Sequence, residues 1–225
     1  MLTWQNMYTE MNIMVMGNRR KVNGMRVLCI CGSPRSKGNT EYLLKVLVSE
    51  VGGEIIRLAD CHFAHCTACW SCRDAGRCVF NDDMTTHIVP RLLASDAVVL
   101  GSPIFFNNVT ADMKAFMDRT WCLRGALRNK IGGGIVVGRR YGAESAMSAV
   151  NSFFLKHDMI AANRGVTGLA FDKGEIVHDT EAISATRSLA RRIKELVALT
   201  CGNDGLRRDS PGASGSGGGD RMRAG

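Results

Sequence analysis

No run of eighteen or more apolar residues occurs in this 225-residue chain, so no transmembrane helix and no membrane partner are expected. The opening segment MLTWQNMYTEMNIMVMGNRRKVNG lacks the order of a secretory signal. Its basic cluster Arg19, Arg20 and Lys21 follows the apolar residues instead of preceding them, and no A-x-A-like site comes after. The expected location is cytoplasmic, with residues 1–24 as an extension ahead of a fold that begins at Met25. No helix-turn-helix, zinc-finger or RNA-binding signature is visible, and the 29 Lys and Arg residues behind the formal charge of +8 are not gathered in a stripe. Such a surface suits small anions, phosphates and carboxylates among them, and nucleic acid is not expected as a partner. Also missing are the Gly-x4-Gly-Lys-Ser/Thr spacing of a Walker loop, a G-x-G-x-x-G run and an internal repeat. No Cys–His or Ser–His–Asp arrangement names a general acid, base or nucleophile, so catalytic residues remain unassigned. Residues 201–225 are Gly/Ser-rich and nearly free of large apolar side chains. They cannot bury enough surface to offset their ordering entropy, and a disordered tail is expected there.

Between these ends the chain is long enough for one domain with a real core. Strand-like apolar runs alternate with helical patterns. MRVLCICG is a short, nearly continuous apolar run, as expected of a strand buried on both faces. A helix TEYLLKVLVSEV follows, with Asn39 or Thr40 as its cap. GEIIRL, AVVLGSP, GGGIVVG and RGVTGLAF read as four further strands. The helices between them lie near DDMTTHIVPRLLAS, where Pro90 should kink or end the helix, then in TADMKAFMDRTW, opened by Thr110, and in AESAMSAVNSFFLKHD. DTEAISATRSLARRIKELVAL, capped by Asp179 or Thr180, closes the fold over residues 25–200. Five strands separated by helices predict an α/β fold: an open parallel sheet covered on both faces. Ligands in such sheets bind beyond the carboxyl ends of the strands, where the strand order reverses.

Three loops reach that edge. GSPRSKGNT offers small residues, hydroxyls, free backbone N–H groups and a helix N-terminus, the ingredients of a phosphate site or, more plainly, of a turn with a helix cap. Ser33, Arg35, Asn39 and Thr40 can add side-chain donors, and Gly38 permits a tight backbone path. SPIFFNNVT places Pro103, Ile104, Phe105 and Phe106 where they can pack on a flat ring, with Asn107 at its polar rim. Both phenylalanines cannot easily point inward at a strand end. GRRYGAES supplies Tyr141 and flexible backbone at Gly138 and Gly142. A phosphate cradle beside an aromatic slot points to a mononucleotide with a planar ring.

The residues of GSPRSKGNT, CVFNDDM and SDAVVLGSPIFFNNVTADMKAFMDR resemble the NADPH-dependent FMN reductase group of flavodoxin-like proteins, over Met25 to about Leu199. With the cysteines of CTACWSCRDAGRC, the chain resembles the iron–sulfur flavoproteins of that group. The resemblance implies a flavodoxin-like five-stranded sheet of order 2-1-3-4-5 with a cysteine-rich loop, residues 61–81, after strand two. It implies FMN with its phosphate on Ser33, Arg35, Ser36, Gly38, Asn39 and Thr40. The flavin ring would lie against Pro103, Ile104, Phe105, Phe106 and Asn107, with the 138–143 loop, including Arg139, Tyr141 and Gly142, on the other side. A homodimer or a homotetramer is also implied.

The cysteines Cys66, Cys69, Cys72 and Cys78 are spaced C-x2-C-x2-C-x5-C. Disulfides do not suit a reducing compartment, and the other five cysteines show no pairing arrangement. Zinc usually takes two C-x2-C knuckles separated by a longer excursion. A 4Fe-4S cubane suits the spacing better, because a short loop can reach separate corners of one cluster. Unmetallated thiols, buried or redox-active, are the remaining reading. Cys29 and Cys31 alternate along the first strand as core residues, Cys61 reads as a small buried residue, and His62 and His65 are not assigned as ligands.

The expected function is an oxidoreductase coupling two-electron flavin chemistry to one-electron transfer, with NAD(P)H or a ferredoxin-type carrier as partner. One alternative is a dehydrogenase of a small carboxylated cyclic substrate of chorismate type, its acid group met by the basic loop at Arg139 and Arg140. Another, of a different class, is a noncatalytic electron carrier or redox sensor.

Overall fold

The structure, a computed structural model, describes residues 24–201. The N-terminal extension before Gly24 and the tail after Cys201 lie outside the described residues. Strand β1 (Val27–Cys31) leads through a loop into α1 (Asn39–Val51), and β2 (Glu54–Arg57) into the cysteine loop, which carries the one-turn helix α2 (Cys72–Ala75). A π-helical turn, Met84–Ile88, continues into α3 (Val89–Ala94), followed by β3 (Ala97–Pro103) and α4 (Ala111–Arg119). Then come β4 (Ile131–Gly138), α5 (Ala143–Lys156), the short strands β5 (Ile160–Ala161) and β6 (Val166–Leu169), and α6 (Thr180–Cys201).

All strand pairs are parallel, in the order β2-β1-β3-β4 followed by β5 and β6, both of which pair with β4. This is the flavodoxin-like sheet expected from the sequence, with one refinement at its far edge. β5 meets β4 at Ile131 and Gly132, and β6 meets it again from Ile135 to Gly138. The fifth strand is therefore one strand broken in two. The break falls at Asn163 to Gly165, where the Asn163 side chain accepts the Gly165 N–H and Gly165 takes φ +99°.

Alternating residues of β1 face opposite layers. Leu28 and Ile30 pack with Met113, Phe116 and Phe154, on the face covered by α3, α4 and α5. Cys29 and Cys31 pack with Leu43, Leu47, Leu189 and Ile193, under α1 and α6. Both cysteines are fully buried, and burial pushes the Cys31 thiol up to about 11 and the Cys29 thiol higher still. They are inert core residues, as their alternation implies. A Cβ at Gly132 would stand 2.6 Å from the Phe154 ring, so the bare backbone of β4 is what lets α5 lie close to the sheet.

Two helix starts differ in detail from expectation. Pro90 does not end the helix: it sits in the first turn of α3, directly after the wider π turn Met84–Ile88. Thr110 and Asp179 do cap their helices, accepting the N–H groups of Met113 and Ala182. At α1 the N-cap is Gly38, in place of the expected Asn39 or Thr40, and no side chain bonds the first turn.

Candidate functional site

The loops after β1, β3, β4 and β6 meet at the carboxyl edge of the sheet, around the point where strand order reverses between β1 and β3. Short bonds join them. Gly32 N–H donates to Gly101 O at 2.8 Å, and the Thr110 hydroxyl donates to Gly32 O at 2.8 Å while its N–H donates to Ser102 Oγ at 3.1 Å. Ile104 N–H donates to Val137 O at 2.8 Å. The sheet thus holds the loops after β1 and β3 at a fixed separation.

In the first loop Ser33, Gly38 and Thr40 are buried, Asn39 is half-buried, and Arg35 and Ser36 are exposed. Arg35 N–H donates to Ser33 Oγ at 3.3 Å. A Cβ at Gly38 would lie 3.0 Å from Arg35 O, so the loop closes tightly on itself. Because Gly38 brings no capping side chain, the first N–H groups of α1 keep their donors for an external acceptor, and the helix dipole favours an anion there. Glu41 braces the loop from below. Its carboxylate accepts Lys37 N–H at 2.7 Å, pairs with Lys45 at 2.6 Å and lies 3.4 Å from Arg57. Burial opposes its ionisation, yet Lys45, the Lys37 N–H and Arg57 together hold it below the usual glutamate value. Asn39 does not point at the anion position. Its amide donates to Asp172 O at 2.8 Å and accepts Gly174 N–H at 2.8 Å, tying α1 to the loop after β6.

The aromatic slot is built from strained backbone. Phe105 and Asn108 exchange two backbone hydrogen bonds, 2.8 and 3.0 Å, around Phe106 and Asn107, which take φ +48° and +60°. Two left-handed residues in a two-residue hairpin are ordinarily a glycine–asparagine matter, and a phenylalanine there is costly. The result is display: Phe105 is half exposed and Phe106 wholly so. Pro103 and Ile104 form the half-buried base. On the facing loop, Gly142 at φ +81° lies so close to Asn107 that a Cβ would stand 2.5 Å from its Cα. Tyr141 is exposed, and Arg139 stacks on Phe171, 3.3 Å from the ring centroid. Phe171, whose carbonyl also accepts from Arg35, adds a fourth aromatic edge that the strand pattern RGVTGLAF does not single out. Its signal was its place at the end of the last strand.

The cysteine loop leaves β2 and folds against the end of α4. Asp82 and Asp83 hold its base, accepting the Ala64 and His62 N–H groups, and Arg119 grips it with bonds to Ala64 O at 2.6 Å and Asp82 at 2.7 and 3.0 Å. His62 and His65 are exposed, and Cys61 is half-buried. Cys66, Cys69, Cys72 and Cys78 all line one cavity of about 740 Å³, walled by Trp70, Phe80, Trp121 and Phe153. Cys122, from the segment after α4, lines it too and was not foreseen as a neighbour of the motif.

Ala68 and Trp70 take φ +53° and +60°, and Ser71 returns to the right-handed region, a backbone turn that aims successive N–H groups at an anion. The Ser71 N–H, then its hydroxyl, lowers the Cys69 thiol, whereas burial raises Cys72 and the charges of Cys78, Cys66 and Cys69 push it further. Among the described residues no three His, Cys, Asp or Glu side chains are placed to hold one metal ion. The four cysteines line a common cavity. Convergence on one point is the demand of a single zinc ion; a cubane takes its ligands at separate corners.

The family model described as NADPH-dependent FMN reductase matches residues 25–174. The chain belongs to that family. An iron-sulfur flavoprotein of Methanocaldococcus jannaschii is 35 % identical over 191 residues, covering 78 % of this chain and 98 % of the relative. One of Methanosarcina thermophila is 29 % identical over 187 residues, covering 78 % and 96 %. Among solved structures, RosB with a bound formylriboflavin phosphate intermediate superposes with a TM-score of 0.64 at 15 % identity, over 89 % of this chain and 94 % of RosB. The Trp repressor binding protein of Bacillus subtilis does so at 0.58 and 22 % identity, over 72 % and 96 %. Membership of the FMN reductase family makes the protein a flavin-dependent oxidoreductase on the iron–sulfur flavoprotein branch. Among the described residues no helix is long and apolar enough to cross a membrane.

Proposed function

We propose that the protein is an FMN- and iron–sulfur-dependent oxidoreductase that joins two-electron flavin chemistry to one-electron transfer. The observation that carries this reading is the presence on one chain of an uncapped helix N-terminus facing displayed aromatic residues and a cavity lined by four thiols. Ser33, Arg35, Ser36, Gly38 and Thr40 would bind the FMN phosphate through the first-turn N–H groups of α1 and their own donors. Asn39 would act by anchoring the loop after β6. Pro103 to Asn107 would meet one side of the flavin ring, and Arg139, Tyr141 and Gly142 would border the other. Cys66, Cys69, Cys72 and Cys78 would hold a 4Fe-4S cluster. When bound, the flavin supplies hydride and single-electron exchange and the cluster supplies single-electron exchange; the chain contributes placement and electrostatics. A nicotinamide or ferredoxin-type donor, a homodimeric or homotetrameric assembly and a cytoplasmic setting complete the proposal.

Protein purified without oxygen should show flavin absorption and about four irons with matching sulfide per chain. Cys69→Ser or Cys72→Ser should remove iron and leave flavin, and Arg35→Ala should weaken FMN binding. Flavin without iron would reduce the reading to a plain FMN oxidoreductase. In the dehydrogenase reading, Arg140 and the in-plane donors of Arg139, which is stacked on Phe171, would meet a substrate carboxylate. Turnover screens in both redox directions distinguish these readings, and no turnover beside electron exchange with a carrier would leave the noncatalytic one.

A further inference from the structure

Arg119, the last residue of α4, is 2 % exposed, and a buried cation is unfavourable unless its donors are paired. Its pairing is one-sided. Nη1 and Nη2 donate to the two carboxylate oxygens of Asp82, and Nη1 donates also to Ala64 O. Nε is buried with no partner. The guanidinium lies over the Phe80 ring, 4.9 Å from its centroid, borders the same cavity as the four thiols and is within reach of the Cys78 sulfur. Its counter-ion is placed differently: the Asp82 side chain is 18 % exposed against 1 % for Arg119. Water therefore screens the carboxylate more than the cation, and the cavity feels a net positive wall.

We propose that Arg119 is a positioning residue for redox chemistry in the cysteine cavity: oriented by Asp82, it keeps a buried cation in the wall it shares with Cys78 and favours the more negative state of a cluster held there. The inference rests on the reading of the four cysteines as cluster ligands. Adding one electron from a reduced flavin or a chemical reductant makes the cavity more negative by one charge and breaks no bond. A fixed buried cation stabilises that state more than the oxidised one, so reduction becomes easier. Holding the loop in place is a separate role, and the ion pair performs it whichever partner is considered.

Wild type, Arg119→Gln, Arg119→Lys and Asp82→Asn, purified without oxygen with flavin bound, are compared for iron and sulfide content and for cluster midpoint potential by spectroscopically monitored titration. Arg119→Gln should lower the midpoint so that the reduced-to-oxidised ratio at fixed potential falls about tenfold, or about 59 mV for one electron. Asp82→Asn removes the screening charge and should raise it, and Arg119→Lys should stay close to wild type. Should Arg119→Gln not accumulate, the sign for Asp82→Asn carries the test. A purely structural role predicts equal consequences for both halves of the pair, so shifts in the same direction would overturn the inference. Unmoved potentials at full iron content would overturn it as well. Iron-free wild type would instead overturn the cluster reading beneath it.

Discussion

The two halves of the site are built on opposite plans. At the sheet edge, many modest bonds are distributed over four loops: Gly32 to Gly101, Thr110 to Gly32, Ile104 to Val137, and Asn39 to Asp172 and Gly174. The cysteine loop instead hangs from its base, where the buried Arg119–Asp82 pair joins it to α4. A distributed anchorage degrades gradually when one contact is removed. A concentrated one fails at a single residue.

Breaking the concentrated anchor should have the largest effect. Arg119→Met leaves Asp82 partly buried without its partner and should cost about 3–5 kcal/mol, measured by urea unfolding of iron-free protein. The flavin affinity of whatever remains folded should be nearly that of wild type. Equal loss of flavin would mean that the two halves are not independent.

Gly142→Ala comes next. It places a methyl group against Asn107 in a backbone conformation that L side chains avoid, and the expected loss is about 1–3 kcal/mol together with weaker flavin binding. Unchanged stability and affinity would mean that the loops after β3 and β4 are not packed as described.

Glu41→Gln tests the distributed side, where one brace among several should cost about 1.5 kcal/mol at neutral pH. Its carboxyl is held below the usual 4.5 in the folded protein, so its stabilising contribution is complete above about pH 4.5 and disappears as pH falls through the lowered value. The mutant's stability should accordingly depend less on pH in that acid window, as followed by thermal melts across it.

The smallest effect is a gain. Phe106→Gly removes left-handed strain from a side chain with no burial to lose. A net stabilisation of about 0.5–1 kcal/mol should accompany weaker FMN binding. Stabilisation with unaltered flavin binding would show that the displayed ring serves something else.

Local patterns in the sequence were enough for the strands, the edge loops and the Thr110 cap, because strand periodicity, turn residues and caps act over a few neighbours; the sheet order came from the family resemblance. The local patterns also placed Phe105 and Phe106 outside, since a strand end offers no second buried face. What escaped was set by distant partners. Arg119 meets Asp82 across 37 residues, Cys122 reaches the cysteine cavity from the segment after α4, and Asn39 turns to a loop more than 130 residues away instead of capping its own helix. The broken fifth strand escaped for a related reason. Its interruption at Gly165 reads locally as a turn before a strand, and only the shared partner β4 shows that the two pieces are one.

The aromatic wall of the cysteine cavity has an optical consequence. Of the three tryptophans, Trp70 and Trp121 stand edge to face at 6.1 Å in that wall, and Trp4 lies outside the described residues. The described fold therefore has its indole emission concentrated beside the thiols and none along the sheet edge. Intrinsic fluorescence, read by lifetime and quenching, is a built-in gauge of the state of the cysteine loop.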